Sequence, residues 1–183
     1  MKNGNIILRY IKESDIDDYI RWTTTETEWN DWDAPWEEDD DDEFVQRQKE
    51  LLKREPHVYS KLEIDADTGR HIGWVSCYDI EFENEEATAV GIDIPAIKDR
   101  GKGYGKNALT LYMAHLFKEE DTLYVQTWSG NTPMLHLANQ IGFTEVKRIK
   151  DLREVKGKKY DALTFAITKT DFFDKFPNLK SME

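Results

Sequence analysis

Apolar residues along the chain recur at two kinds of spacing, which alternate from segment to segment. Two-residue alternation and short apolar runs predict strands over 6–11, 57–65, 71–80, 87–94, 122–128, 143–155 and 158–168. Three- and four-residue spacing predicts helices over 15–23, over 44–52, from about 105 to 117, and after 131. The predicted order is one strand, two helices, three strands, a helix, a strand, a helix and two strands.

We predict one domain over residues 1–183, because no linker or repeat divides the chain. Its 39% of apolar and 12% of aromatic residues suit a packed core. No apolar run approaches the roughly 18–20 residues that span a bilayer, and the N-terminus lacks a signal-peptide apolar region. Cys77 is the only cysteine, so no internal disulfide can form and we expect a cytoplasmic protein.

The formal net charge of −12 disfavours nonspecific binding to nucleic acid or to an anionic membrane. It suits a cationic partner, or simply keeps the protein in solution. One short region reverses the sign. Four cations fall within nine residues there and are opposed only by Asp99, the four being Lys98, Arg100, Lys102 and Lys106.

The same region is rich in glycine and stands between a predicted strand and a predicted helix. Gly101, Gly103 and Gly105 come just ahead of that helix. Glycine lets the backbone turn sharply and lets a ligand approach it closely. A helix N-terminus presents unpaired N–H groups and a positive dipole end to an anion. The segment is therefore predicted to bind a phosphate group.

The spacing distinguishes this loop from the commonest phosphate loops. No Gly-Lys-Ser/Thr closes it, and glycines at intervals of two differ from G-x-G-x-x-G. Arg100, Gly103 and Gly105 instead match Arg/Gln-x-x-Gly-x-Gly/Ala, and a second segment runs from Asn131 to a Gly-Phe pair at Phe143. In this order the two segments resemble the GCN5-related N-acetyltransferase (GNAT) superfamily, and most of all its ribosomal-protein N-terminal and spermidine acetyltransferase branch.

The resemblance covers about residues 6–168 and implies acetyl-CoA as co-substrate. It implies an α/β fold with a mixed, mostly antiparallel seven-stranded sheet, whose fourth and fifth strands splay apart to admit the cofactor. The loop N–H groups would hold the pyrophosphate, and Asn131 would contact the pantetheine arm or the backbone beside it. The cofactor-binding residues implied here are Ile92, Ile94, Arg100, Gly101, Lys102, Gly103, Tyr104, Gly105, Lys106 and Asn131.

The resemblance also implies that a primary amine attacks the thioester directly, so positioning contributes much of the acceleration. We assign the oxyanion donor to the backbone N–H near Ile94, just before Pro95 removes a donor. Asp93 is the first choice for the base that deprotonates the amine. Glu85 and Glu86, acting through water, are alternatives. Asp93 could equally be a solvent-facing polar residue in an alternating strand.

The acid that protonates the leaving thiolate is missing from its usual positions. Relatives often carry Tyr seven residues after the motif Asn, or Ser three residues after it. Here those positions are Ala138 and Met134. A thiol of pKa about 8.5 leaves as thiolate with little help. Water, Tyr78 or Tyr112 could serve instead.

An acidic segment rich in tryptophan follows the first helix. Residues 26–43 contain eleven acids and no Lys or Arg. Relatives build the wall of their acceptor site here, and carboxylates and indole faces both attract cations. The residues predicted to bind the acceptor are Trp29, Asp31, Trp32, Asp33, Trp36, Glu37 and Asp93. The alternatives are core packing for the tryptophans and a solvated helix start for Asp39–Asp42.

The remaining candidate groups suggest no further chemistry. The four histidines lack metal-ligand spacing, so we predict no metal, and Cys77 suits a small core position. The basic run at 147–159 suits a solvated hairpin face, or else the 3′-phosphate of CoA.

From the motifs and the acidic, aromatic acceptor segment together, we expect an N-acetyltransferase for a small cationic amine such as a polyamine or aminoglycoside. A protein N-terminal acetyltransferase and a non-catalytic acetyl-CoA-binding module are the alternatives. Dimers are frequent among relatives, so a homodimer is one expected assembly.

Overall fold

The structure is a computed structural model that describes residues 1–36, 41–53 and 60–180. The strands are β1 Lys2–Asn3, β2 Ile6–Arg9, β3 Lys61–Ala66, β4 His71–Phe82, β5 Glu85–Asp93, β6 Thr122–Trp128, β7 Thr144–Val155 and β8 Lys158–Thr168. The helices are α1 Ile16–Thr24, α2 Asp41–Leu51, α3 Tyr104–Leu116, α4 Thr132–Ile141 and α5 Lys169–Lys175. Short 3-10 turns lie at Glu13–Asp15, Thr27–Asp31, Ile97–Asp99 and Pro177–Leu179.

The strands form one mixed sheet flanked by helices, in the order β1-β2-β3-β4-β5-β6-β8-β7. This confirms the predicted α/β class and the predicted order of the longer elements. The sheet has eight strands rather than seven because the two residues of β1 pair with Ile6 and Ile7 of β2. The β4–β5 turn consists of Glu83 and Asn84, both at positive φ, as expected of a tight hairpin.

The parallel ladder between β5 and β6 is very short. It joins only Thr88 to Leu123 and Ala89 to Tyr124, although the structure describes both strands completely. On its other side β6 pairs antiparallel with β8 over seven residues. β5 and β6 are the fourth and fifth long strands, so the short ladder agrees with the splay that the family resemblance predicts.

The chain divides into two compact units, each built from two segments. Unit 1 comprises Met1–Ser76 and Ile92–Ala108, and unit 2 comprises Cys77–Gly91 and Leu109–Glu183. The loop predicted to bind phosphate therefore lies in unit 1, and the Asn131 segment lies in unit 2. One domain over 1–183 stays a prediction.

Unit 1 has a core rich in aromatic rings. α1 buries Ile16, Tyr19 and Trp22, which follow its three-residue spacing. The ring centroid of Tyr19 lies 5.3 Å from those of both Trp22 and Trp74. Trp29 packs edge-on against Trp74 at 5.5 Å. Edge-to-face packing of this kind contributes about 0.5–1.5 kcal/mol per pair beyond the buried area.

Strand β3 is buried on both faces although three of its residues are charged. Side chains alternate along a strand, so Lys61, Glu63 and Asp65 share one face while Leu62 and Ile64 share the other. Glu63 is only 1% exposed and Asp65 7% exposed. A buried charge is tolerated only when it is paired, so this face must supply its own partners.

Unit 2 buries one of the two phenylalanines of α5. Phe172 on α5 is fully buried, and its ring centroid lies 5.0 Å from that of Phe117. Thr168 caps α5 by accepting a hydrogen bond from the Asp171 N–H. None of the helices in the described ranges is long and apolar enough to cross a membrane.

Candidate active site

The end of β5 lies directly against β4 within unit 1. A Cβ atom built at Gly73 would lie 2.0 Å from the carbonyl oxygen of Asp93 and 3.1 Å from Cα of Ile94. Only glycine permits so close an approach of two backbones. Asp93 and Ile94, the two residues predicted to be catalytic, thus lie against a glycine that the sequence analysis missed. A glycine inside a strand pattern was the signal that could have identified it.

The turn that follows β5 is fixed by a buried carboxylate. Both oxygens of Asp99 accept hydrogen bonds from the guanidinium of Arg70, at 2.5 Å each, and Asp99 is 1% exposed. Burial alone would raise the pKa of Asp99, but the hydrogen bonds and charge of Arg70 lower it below its ordinary value. The bidentate pair anchors the start of the glycine loop.

Arg100 anchors the same segment to the end of β5. Its Nε donates to the Ile94 carbonyl at 2.8 Å, its Nη2 to the Pro95 carbonyl at 2.7 Å, and its Nη1 to Glu28 Oε2 at 2.5 Å. Its backbone N–H donates to the carbonyl of Ile97 at 3.1 Å. The side chain and N–H that we predicted for the cofactor are thus both engaged within the protein, and cofactor binding by Arg100 stays a prediction.

The loop beyond Arg100 presents open backbone. Gly101 and Gly103 have φ of 72° and 80°. Apart from each glycine and its two chain neighbours, no heavy atom of the described residues lies within 4 Å of a Cβ built at either. The carbonyl of Gly103 accepts the first helical bond of α3, from the N–H of Asn107 at 3.1 Å. N–H groups that precede this bond have no helical acceptor, so they suit an anion. Because α3 begins at Tyr104, the predicted helix start at about residue 105 is confirmed.

Asp93 lies in an environment that favours its protonated form. Burial raises its pKa well above the ordinary value, and the charge of Asp33 raises it further. The charges of Lys61 and Arg100 act in the opposite direction. A carboxyl group with a raised pKa is a better proton acceptor near neutral pH than an ordinary aspartate.

A family model for the acetyltransferase (GNAT) domain matches residues 5–144. The match includes both β5 with its glycine loop and the segment that begins at Asn131. The chain belongs to the GNAT family. It is an acetyl-CoA-dependent N-acetyltransferase, which confirms the function class that the motifs predicted.

Individual relatives are distant in sequence. The SPbeta prophage-derived uncharacterized N-acetyltransferase YokL of Bacillus subtilis (strain 168) is 24% identical over 127 residues, 68% of each chain. Spermidine N-acetyltransferase from Vibrio cholerae, solved with CoA and spermine, has a TM-score of 0.71 at 17% identity, over 93% of this chain and 99% of that one. Ribosomal-protein-S5-alanine acetyltransferase from Vibrio fischeri has a TM-score of 0.71 at 19% identity, over 94% and 97%. At these identities the solved structures establish the fold alone.

The residues predicted to bind the acceptor lie in different environments. Trp29 is 8% exposed and its indole N–H donates to the Trp22 carbonyl at 2.9 Å, so it packs in the core of unit 1. The indole N–H of Trp32 donates to Glu28 at 2.8 Å. Asp31 and Asp33 are exposed and Trp36 is half-buried. Glu37, Asp39 and Asp40 lie outside the described residues. Acceptor binding by this set stays a prediction.

Lys61 lies among the aromatic rings of unit 1 in this acetyltransferase, and the sequence analysis did not single it out. Its Nζ lies 4.6 Å from the ring centroid of Tyr19, 4.5 Å from Trp74 and 5.8 Å from Phe44. It donates to Gln48 Oε1 at 2.5 Å. We call this arrangement, made of Tyr19, Phe44, Trp74 and Gln48, the lysine cage. Burial lowers the pKa of Lys61 to about 8, against the opposing charges of Glu63 and Asp93.

The acids of the same face of β3 belong to a network of hydrogen bonds and ion pairs with β2, β4 and α1. Glu63 Oε2 accepts the Tyr19 hydroxyl at 2.7 Å and lies 2.8 Å from His71 Nε2. Arg9 donates to both Asp15 and Asp65 at 2.6–2.8 Å. Burial alone would lower the pKa of His71, but the hydrogen bond and charge of Glu63, with the charge of Asp15, raise it.

Part of this network has donor atoms suited to a metal ion. Oxygen and nitrogen atoms of Asp15, Asp18 and His71 lie within 4.8 Å of one another. Arg9 already donates to both oxygens of Asp15, and His71 Nδ1 lies 3.0 Å from Asp18. The cluster is therefore satisfied by protein groups, and the absence of a metal in this enzyme stays a prediction.

Unit 2 contains the second motif of the family. Asn131 caps α4 by accepting the Met134 N–H at 3.0 Å, with Pro133 in the first turn. Its contact with the cofactor stays a prediction. Ala138 is fully buried. Tyr112 is fully buried and hydrogen-bonded to Cys77, and burial raises its pKa, so this hydroxyl is a poor proton donor.

Proposed function

We propose that this acetyltransferase modifies the primary amine of a small cationic acceptor such as a polyamine or an aminoglycoside. Acceptor acetylation would take place at the end of β5, next to the glycine loop. The exposed carboxylates of Asp31 and Asp33 would attract the ammonium group. The structural neighbour that acts on spermidine agrees with this acceptor class. A protein N-terminus is the second candidate, because another structural neighbour acts on a ribosomal protein.

In the proposed reaction the backbone N–H of Ile94 donates to the oxyanion, and N–H groups of the loop bind the pyrophosphate. Both assignments follow from the family motif, and the open backbone at Gly101 and Gly103 supports the second. Gly73 and Arg100 fix the end of β5 from two sides, which favours a rigid reaction centre.

The position of Asp93 at the end of β5, against Gly73 and with a raised pKa, supports its assignment as the base in this proposal. An acceptor amine of pKa near 10 must lose a proton before it attacks. A carboxylate that titrates well above the ordinary aspartate range matches this task at neutral pH. Glu85 and Glu86 are exposed and have no such environment.

Acetyl-CoA-dependent thiol release across polyamines, aminoglycosides, amino acids and basic peptides tests the acceptor class. A saturable response to the small cationic amines is expected. A response to peptides alone would favour protein N-termini. If acetyl-CoA binds but every acceptor is silent, the proposal for this acceptor class is wrong.

The pH dependence of kcat/KM tests the role of Asp93. The rate should rise with pH through the raised pKa of Asp93, because only the carboxylate accepts the proton. Asp93→Asn should remove this limb and lower the rate by roughly 100-fold or more, the usual contribution of a general base. Asp33→Asn should move the limb to lower pH, because one charge that raises the pKa is gone. An unchanged profile in both variants would exclude Asp93 as the base.

A further inference from the structure

The lysine cage encloses a primary amine of the protein itself. Three aromatic rings surround Lys61 Nζ, with centroids 4.5, 4.6 and 5.8 Å away. Gln48, which is 4% exposed, accepts a hydrogen bond from this nitrogen and donates its own amide to the Phe44 carbonyl at 3.0 Å. Aromatic faces attract cations, so the arrangement is a built site for an alkylamine. The proposed acceptor reaction does not use it.

The lysine cage is close to the end of β5. Trp74, whose ring forms one wall, directly follows Gly73 on β4, and Gly73 is the residue whose backbone touches Asp93 and Ile94. The charge of Asp93 raises the pKa of Lys61, and the charge of Lys61 lowers the pKa of Asp93. A primary amine and the proposed proton acceptor thus occupy one region of unit 1.

We propose that Lys61 is an acetylation site of this enzyme, modified by its own acetyl-CoA in the absence of an acceptor. The inference rests on the proposed function, which assigns acetyl transfer to Asp93 and Ile94. The neutral Nζ attacks the acetyl carbonyl, an N–C bond forms and the C–S bond breaks. CoA leaves as the thiolate. The proton released by the amine passes to Asp93 or to water, and from there to the thiolate, which becomes the thiol. The product is an uncharged Nζ-acetyl group.

The protonation state of Lys61 supports this chemistry. With a pKa of about 8, roughly half of the amine is neutral at pH 8, against well below 1% for an ordinary lysine of pKa about 10.4. Only the neutral amine is a nucleophile. The enclosed amine is at the same time shielded from reagents in solution, so chemical acetylation should reach exposed lysines first.

The test is incubation of the full chain with acetyl-CoA and no acceptor at pH 8, followed by peptide mass spectrometry over time. Lys61 should gain one acetyl group before the exposed Lys158 and Lys159, which serve as internal references for uncatalysed chemistry. Excess free CoA should suppress labelling of Lys61 and leave the references unchanged. Labelling of Lys158 and Lys159 ahead of Lys61, or labelling of Lys61 that free CoA does not suppress, would overturn the proposal.

Two variants separate this inference from the acceptor assignment. Lys61→Arg keeps the charge but cannot form the acetyl adduct, so one catalysed acetylation should disappear from the intact mass. Asp93→Asn should slow Lys61 labelling at least tenfold if Asp93 takes the proton. Thiol release with amines but no Lys61 labelling would refute this inference alone. Lys61 labelling with a silent acceptor panel would refute the acceptor class alone.

Discussion

The two helices that carry the family motifs begin in opposite ways. α3 begins after Gly103, which has no side chain, and the loop before it is open at Gly101 and Gly103. α4 begins after Asn131, whose side chain accepts the Met134 N–H. Every helix N-terminus carries the same dipole and the same set of unpaired N–H groups. Of the two helices, α3 is the one whose N-cap residue has no side chain to cap it, so the start of α3 is the one that suits a ligand.

This difference shows that an anion site at a helix N-terminus requires both unpaired N–H groups and the absence of a side chain that would cap them. An Asn or Ser at position 103 would have satisfied N–H groups that the proposed site needs. The cost is a less stable helix start, and the chain compensates before the loop. Arg70 binds Asp99 and Arg100 binds Glu28, so the backbone ahead of α3 is fixed without capping the helix itself.

Substitution of Gly103 should have the largest effect on this contrast. Gly103→Val places a branched side chain at a φ of 80° and fills the open side of the loop. Loss of one or two charge-assisted hydrogen bonds corresponds to about 3 kcal/mol, so acetyl-CoA affinity should fall roughly 100-fold. Calorimetric titration with acetyl-CoA measures it.

Gly157→Val is the matched control for that variant. Gly157 has a φ of 75° and equally open surroundings, but it lies in the turn between β7 and β8. It should reproduce the loss of stability caused by backbone strain and leave acetyl-CoA affinity unchanged. If both variants bind acetyl-CoA like the wild type, the loop assignment is wrong.

Removal of the Arg70–Asp99 ion pair ahead of α3 should have an effect of intermediate size, on the stability of the protein. Arg70→Met leaves the buried Asp99 without its bidentate partner, and we expect the free energy of unfolding to fall by about 2 kcal/mol at neutral pH. Arg70 is 45% exposed, so a larger loss is not expected. Chemical denaturation measures the change. The control is Arg21→Met, which removes ion pairs to two more exposed carboxylates, Asp18 and Glu26.

The pH dependence of that variant has a defined sign. Arg70 lowers the pKa of Asp99 in the folded protein, so its stabilisation is present above the unfolded pKa of the carboxyl group. The difference between wild type and Arg70→Met should shrink as pH falls through the folded pKa of Asp99. A difference that stays constant into acid would show that lost packing, not charge, is responsible.

Removal of the cap on α4 should have the smallest effect. Asn131→Ala leaves the Met134 N–H without its acceptor, which costs about 1 kcal/mol of stability. Asn131→Asp keeps an acceptor oxygen and should restore most of it, as thermal unfolding of both variants would show. Equal loss in both would mean that the cap contributes little, and the contrast between the two helices would then weaken.

Most of the fold could be predicted from the sequence because its signals are local. β6 and β8 have the predicted bounds, and α1 differs from its prediction by one residue at each end. The loop glycines and the cap at Asn131 are also local, since they depend on backbone geometry over a few residues. The added strand β1 was missed because two residues at the chain start carry no periodic pattern.

The environment of the candidate site could not be predicted, because it depends on residues far apart in sequence. Arg9 meets Asp65 and Arg100 meets Glu28, and no spacing rule relates either pair. From the sequence pattern alone, Lys61 is predicted to be an ordinary polar residue of an alternating strand. Its aromatic surroundings exist only once α1, α2 and β4 are assembled around it.

The division of unit 1 into two segments has a consequence for synthesis on the ribosome. Its second segment, Ile92–Ala108, is made only after Cys77–Gly91, which belongs to unit 2. The first 76 residues therefore emerge with Glu28 and Gly73 still lacking the chain they contact in the finished protein. A nascent chain normally folds domain by domain from its N-terminus. Here unit 1 can complete its contacts only after the glycine loop has left the ribosome. A chain that stalls before residue 108 would therefore expose an incomplete unit to chaperones and proteases.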